Sequence, residues 1–325
     1  MKSLPVIAIV IALFITTIIP TSNTFSKPIP IQEEEEAETL KIGSEVVLVN
    51  VVVTDNNNRF VNNLSKDEFE IYEDGLKQEM SFFNKQDQPL SLGIIIDAST
   101  SMLESGKLEE ARRAVSVILS TSNANDEAFL IKFDDSITIL QEFTSDFDLL
   151  NQQVKRIRPF GGTAIYDALI HSMTYMKKKS KKLRQALILI TDGLDQHSRS
   201  SVKDVLPIAQ VTGIPCYVVG LYSPEEQAAL ASGNTVRLDT GQVVDNPTIT
   251  LRALAEETAG RAYFPTSQKE LVPIAKQIVD ELRNAYALGY YPPVSSLDGR
   301  YHTISVISKS KKFNIRTRRG YLSKL

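Results

Sequence analysis

The chain of 325 residues contains no tryptophan, one cysteine and three histidines. Without tryptophan, no indole can anchor recognition of a partner. Cys216 is alone, so an internal disulfide is excluded, and its place in the apolar run 214–219 reads as core rather than reactive thiol. His171 and His302 have no companions at metal-ligand spacing. No Ser–His–Asp arrangement and no glycine-rich nucleotide loop stands out. A formal net charge of −3 supplies no positive field for nucleic acid, which is excluded as the main partner. The remainder, 42% hydrophobic and 23% charged, is ordinary for a soluble globular protein of one or two domains.

Residues 91–102 organise the rest. A short apolar run from Leu92 to Ile96 ends in Asp97 and is followed by hydroxyls at Ser99, Thr100 and Ser101. A run this short, rich in isoleucine, predicts a strand buried on both faces. Its polar end then lies at the carboxyl edge of a central strand, where open α/β sheets bind ligands. Asp97, Ser99 and Ser101 alternate, so three oxygen-bearing side chains can converge as the chain turns. Oxygen donors with a carboxylate suit a hard cation. Taken alone, the pattern is better explained as a turn whose Asx or Ser cap opens the next helix. Two later stretches shift that balance. Gly161-Gly162-Thr163 forms a glycine-rich turn before a helical pattern, and the apolar run 186–190 leads through Thr191 to a second terminal aspartate, Asp192. If the two strands are sheet neighbours, these residues line one crevice.

Asp97, Ser99, Ser101, Thr163 and Asp192 together resemble the metal-ion-dependent adhesion site of the von Willebrand factor A domain, in that family's order and contexts. The resemblance covers residues 90–284 and implies a doubly wound, mostly parallel, Rossmann-like sheet. It also implies a divalent cation, Mg²⁺ first, with Mn²⁺ or Ca²⁺ as alternatives. In the family's pattern the hydroxyls of Ser99, Ser101 and Thr163 bind the ion directly, while aspartates often act through water. An open position then accepts a carboxylate from a protein partner with an exposed Asp or Glu. Thr100 stands where the family frequently has glycine. Thr100, Gly162, Asp195 and His197 are expected at the rim, and Asp167 is expected to brace its loop. Weaker similarity to exported bacterial VWFA-related proteins rests on Glu73-Asp74-Gly75, Gly289-Tyr290-Tyr291-Pro292 and Arg319-Gly320-Tyr321.

Residues 1–26 read as a secretory signal, with an uncleaved anchor as the alternative and the only route to a membrane. Residues 27–39, with Glu33–Glu36, read as a solvated linker. Residues 40–88 are a β segment: alternating valines at 45–55, a strand at 69–73, the Asp74-Gly75 hairpin signal and a strand over 76–83. Residues 89–285 form the A-like domain, with helices expected over 107–119, 167–176, 202–212, 251–260 and 269–285. The polar stretch 223–248 reads as an irregular surface insertion with a hairpin at 239–242. Residues 286–325 return to strands. Neither β segment suffices for a core alone, so the two are expected to pair as a small β-sandwich-like domain into which the α/β domain is inserted. The function this predicts is an exported adhesion or assembly module of the periplasm, envelope or medium, not an enzyme. The alternatives are a metal-dependent hydrolase in the same crevice and a structural envelope module with a vestigial site.

Overall fold

Isoleucine and leucine fill the strand Leu90–Asp97 so completely that every residue in it is buried. Such a strand needs apolar cover on both faces and hydrogen-bonded neighbours on both edges. It has both in the computed structural model, which describes residues 46–85, 88–231, 233–237, 241, 243–310 and 312–323. The expected signal, linker and most of the 239–242 turn lie outside the described residues. Glu127–Phe133 and Arg184–Thr191 flank the central strand in parallel. The six-stranded sheet continues on one side to Cys216–Gly220 and Ala262–Tyr263, and on the other to the antiparallel Ile137–Thr144. One face packs on helices Lys107–Ser120, Phe147–Arg156 and Gln268–Asn284. The other packs on Ile165–Lys179, Val202–Thr212 and Pro247–Glu257. The chain leaves the first strand to one side and returns to its other side, so a crevice opens between the carboxyl ends of Leu90–Asp97 and Arg184–Thr191.

The remaining strands form two four-stranded antiparallel sheets. Val47–Thr54 lies between Tyr286–Tyr290 and Asn314–Arg316, with Met80–Asn84 at the far edge. Phe69–Glu73 lies between Tyr301–Ser308 and Leu76–Gln78, with Gly320–Leu322 beyond. Val49, Val51, Ile71, Tyr286, Leu288 and Val306 meet in one core between them. The strands that enter and leave the α/β domain pair directly, Phe83 opposite Leu288. The fold is therefore an α/β domain carried on a small β-sandwich made from both ends of the chain. Among the described residues no helix is long and apolar enough to cross a membrane.

The structure departs from the sequence reading in five places. The strand expected over 76–83 breaks at Glu79, and its halves join different sheets: Leu76–Gln78 pairs with Phe69–Glu73, Met80–Asn84 with Tyr286–Tyr290. A strand crossing a sandwich corner keeps its alternation while changing partners, so periodicity cannot show the break. The helix Phe147–Arg156, capped by Asp146 through the Leu149 amide, was not anticipated. Nor were the short strands Ala262–Tyr263 and Gly320–Leu322. The stretch 223–248 is not irregular. It holds the helix Pro224–Leu230, opened by a Ser223–Glu226 capping box, while the strands Thr235–Arg237 and Val243–Asp245 pair on either side of 239–242 as the expected hairpin requires. The signal was present in Ser223-Pro224-Glu225-Glu226, which has Pro at the first helical position and Glu at the third.

Candidate metal centre

Asp97 closes the central strand, and its fully buried carboxylate is held from two directions. The Ser99 amide donates to Oδ1 at 2.8 Å, and the Thr191 hydroxyl donates to Oδ2 at 2.5 Å. The first bond is the Asx turn that the loop sequence allows. It carries the chain round so that Ser99 Oγ and Ser101 Oγ lie 3.0 Å apart. Ser101 Oγ then donates to Asp192 Oδ1 at 2.9 Å. Thr163 reaches the same place from the glycine-rich turn: a methyl group on Gly193 would sit 3.2 Å from Thr163 Oγ1 and 3.5 Å from Asp97 Oδ2. Ser99, Ser101, Thr163 and Asp192 line a cavity of about 390 Å³, walled on its apolar side by Leu194, Tyr222 and Leu230. All five predicted donors thus meet at the crevice.

Two residues that the sequence reading missed complete it. Thr191 supplies the hydroxyl on Asp97. Lys107 Nζ lies 2.8 Å from Asp192 Oδ2 and 3.0 Å from Glu226 Oε1, with only 5% of its side chain exposed. Lysine in the first turn of a helix opposes the macrodipole, and that oddity was the available signal. Its partner Glu226 comes from the stretch expected to be irregular.

Burial pushes the Asp97 carboxyl up to about 6 despite the Ser99 and Thr191 hydrogen bonds. Burial also raises Asp192, against the opposing pull of Lys107. Lys107 is pushed down by burial, but Asp192 and Glu226 outweigh that and hold it above its ordinary range. The chain therefore answers Asp192 with a cation, while among the described residues none reaches Asp97. Asp97, Asp192 and Glu226 against Lys107 leave two negative charges in excess when all are ionised. Two carboxylates and three hydroxyls, all oxygen, fit a hard dication.

The rim residues divide. Thr100 is exposed, and both its amide and its hydroxyl donate to the Gly161 carbonyl, at 3.1 and 3.0 Å, tying the serine loop to the glycine turn. Gly162 donates its amide to Asp135 Oδ1 at 2.7 Å, and a methyl group there would collide with the His197 ring. His197 Nδ1 accepts from the Thr163 amide at 3.3 Å, so its ring braces the turn from outside. Asp195, its carboxyl raised by burial, accepts the amides of Ser198 and Tyr166. Gly162 lines the cavity; Asp195 and His197 stand behind its wall. Asp167 accepts the Arg199 and Ser200 amides, a loop brace as expected.

His302 is placed differently from its sequence expectation. It has companions in space: Glu73 and Asp74, more than 220 residues away in the chain, put carboxylate oxygens near its ring. Glu73 is occupied by the Tyr290, Tyr321 and Ser296 hydroxyls. The two His302 nitrogens face Asp74 at 2.7 Å and Asp298 at 3.0 Å, tying the 74–75 turn and the 298 loop to the strand Tyr301–Ser308 within one sheet.

A family model for the von Willebrand factor type A domain matches residues 92–194, a span holding all five donors. The chain carries a von Willebrand factor type A domain. Among solved structures, it is similar to an aerotolerance-related membrane protein from Bacteroides fragilis, at 23% identity over 59% of this chain and 98% of that one, with a TM-score of 0.47. It is similar to a von Willebrand factor type A protein from Catenulispora acidiphila at 11% identity over 87% of this chain and 75% of that one, TM-score 0.48. The von Willebrand domain of the type V pili tip protein Mfa5 from Porphyromonas gingivalis aligns at 26% identity over 33% of this chain and 39% of that one, TM-score 0.30. No curated protein matches the sequence.

Proposed function

We propose that the A domain is an exported protein-binding module, for adhesion or assembly, that presents a divalent cation to an acidic group of a protein partner. The observation that carries this reading is the buried Asp97 carboxylate, unanswered by any cation among the described residues, amid converging hydroxyl and carboxylate oxygens. Asp97, Ser99, Ser101, Thr163 and Asp192 would hold the ion, with Mg²⁺ preferred and Mn²⁺ or Ca²⁺ as alternatives. Bound there, the ion supplies an electron-poor position for an incoming carboxylate oxygen. The protein's own part is orientation. Thr191 and the Ser99 amide fix Asp97, and Ser101 links the two loops. Of the five donors only Asp97 and Asp192 carry charge, and Lys107 takes up part of the Asp192 charge, so the neutral hydroxyls leave the ion electron-poor. Leu194, Tyr222 and Leu230 shield one side from water, which strengthens a charge-assisted contact.

A hydrolase would need a general base within reach of the crevice. His197, the histidine nearest in sequence, spends Nδ1 on the Thr163 amide and turns Nε2 towards Asp135 at 3.6 Å. That favours the binder. Capture of partners from envelope extract by immobilised protein tests the reading. Capture should vanish equally with chelator and with Asp97→Ala, and survive Lys178→Ala. Capture that survives chelator and Asp97→Ala puts the binding surface elsewhere, and turnover abolished by His197→Ala would favour the hydrolase. Export is checked by cell fractionation, where cytosolic recovery with Met1 retained would count against it.

A further inference from the structure

A second cavity, of about 630 Å³, opens where the sandwich meets the A domain. It lies at the amino ends of the parallel strands, with Gln185 from the start of Arg184–Thr191 in its wall, far from the metal crevice. Its lining is mainly apolar: Val46, Leu48, Val211, Ile214, Pro292 and Leu322 contribute. Its charged lining residues are Lys177, Lys178 and Arg318, with no Asp or Glu among them.

Arg318 is the unusual member. It sits between the strands Asn314–Arg316 and Gly320–Leu322 and is only 7% exposed. A guanidinium this buried ordinarily meets a carboxylate. Arg318 has no ion pair among the described residues. Nη2 donates to the Leu48 carbonyl at 2.8 Å, the guanidinium lies over the Tyr321 ring at 5.7 Å, and Nε is buried without a partner. Nη1 abuts Gly213, so close that a methyl group there would stand 2.3 Å from it. Gly213 caps Val202–Thr212 in the left-handed conformation, φ +61°, so the guanidinium meets the negative end of that helix. A helix end offers about half a charge, which leaves Arg318 in deficit. Burial drags its pKa down to about 10. Glu73, a buried acid of the sandwich core, is held by the Tyr290, Tyr321 and Ser296 hydroxyls instead.

We infer that this interdomain cleft is a binding site for a small amphiphilic carboxylate, its acid group on Arg318 and its apolar body along the valine and leucine wall. The volume is that of a small-molecule site, and domain seams are where such sites form. A guanidinium pairs with a carboxylate through charge-assisted hydrogen bonds, and Lys178 at the mouth adds attraction, with no acid lining the cleft among the described residues. The site is independent of the metal crevice.

Because the chain has no tryptophan, Leu183→Trp, an exposed position on the cleft, gives a sole indole reporter. Full-length Leu183→Trp is titrated in chelator with sodium decanoate, decyl phosphate and decyltrimethylammonium, each below its micelle-forming concentration. Decanoate should give a saturable fluorescence change, tighter than decyl phosphate, and decyltrimethylammonium none. Adding Arg318→Gln should weaken decanoate at least about tenfold, the loss expected for one charge-assisted pair. Arg318→Lys, which keeps charge without the fork, should fall between. Lys178→Glu should weaken decanoate several-fold and covers the case in which Arg318→Gln does not fold. No saturable decanoate binding, equal binding of the cationic amphiphile, or affinity indifferent to the Arg318 and Lys178 changes would overturn the inference. Tighter binding of decyl phosphate would reassign the ligand from carboxylate to phosphate and overturn it in that form.

Discussion

The two ends of the parallel sheet handle buried charge in opposite senses. At the carboxyl ends the buried groups are acids. Lys107 answers Asp192, and among the described residues nothing cationic answers Asp97. At the amino ends arginines are buried or half-buried, and the buried acids Asp126 and Glu281 are each paired with one, Arg283 and Arg316. Arg184 donates to the Ala285 carbonyl, and Arg316 to the Ala259 and Gly260 carbonyls and the Glu281 carboxylate. Arg318 has a carbonyl and a ring but no acid among the described residues. Each end thus has a charge satisfied within the chain and a charge left over. The satisfied charges read as scaffold, since removing one partner strands the other in low dielectric. The unsatisfied ones are where a ligand can contribute the missing half.

The largest effect should come from breaking a satisfied pair at the seam. Arg316→Met leaves Glu281, 1% exposed, buried and unpaired, and should cost about 3–5 kcal/mol in urea unfolding. The double variant Arg316→Met/Glu281→Leu should recover most of that loss. No recovery would mean that the carbonyl contacts, not the charge pair, hold the seam. Lys107→Met makes the matching break in the crevice. It should cost about 3 kcal/mol in chelator, yet the protein should gain more from Mg²⁺ than wild type does, since Asp192 loses its internal counter-cation. An unchanged Mg²⁺ response would separate Lys107 from the site.

Much of this was legible because the informative residues adjoin strands. The run Leu92–Ile96 has one interpretation in water, and Asp97 follows it immediately. The same holds for Asp192 after Ile190-Thr191, so both aspartates could be placed from local context, while the candidate set of five rested on the family resemblance. Asp74 and Gly75 adopt the left-handed φ values, +48° and +80°, that their hairpin turn demands. What stayed hidden depended on contacts between distant segments. Lys107 meets Asp192 across 85 positions and Glu226 across 119. His302 meets Asp74 across 228. Arg318 looks like any arginine of a basic C-terminal segment until the cleft surrounds it. The break at Glu79 was invisible for a related reason: hydrophobic alternation reports a face, not the sheet to which it belongs.

A smaller effect belongs to His302 and its two aspartates. Burial lowers the proton affinity of His302, but Asp74 and Asp298 more than offset it and hold the pKa above the ordinary 6.5. A raised folded-state value means the stabilisation is fully present below about 6.5, the unfolded value, and is lost as pH rises through the folded one. Asp74, lowered chiefly by its bond to His302, adds the opposite limit, with stability lost as pH falls below its ordinary range. With Asp74 about half exposed, the contribution should be about 0.2–1 kcal/mol. His302→Gln should flatten the decline of stability above about pH 6.5. A slope unchanged by that substitution would assign it to other groups.

The central claim is that Asp97 is the charge a dication answers, and urea unfolding of wild type and Asp97→Asn, with Mg²⁺ and with chelator near neutral pH, tests it most directly. Burial raises Asp97 in the folded state to about 6. Without metal its stabilisation is therefore present below the unfolded value and lost as pH rises through about 6, leaving a buried, unanswered carboxylate at neutrality. Wild type should gain about 2.7 kcal/mol when free Mg²⁺ is about a hundredfold above its dissociation constant. Asp97→Asn should gain nothing and, in chelator, should be at least as stable as wild type. Equal Mg²⁺ gains in both proteins, or none in wild type at tens of millimolar Mg²⁺, would contradict the account.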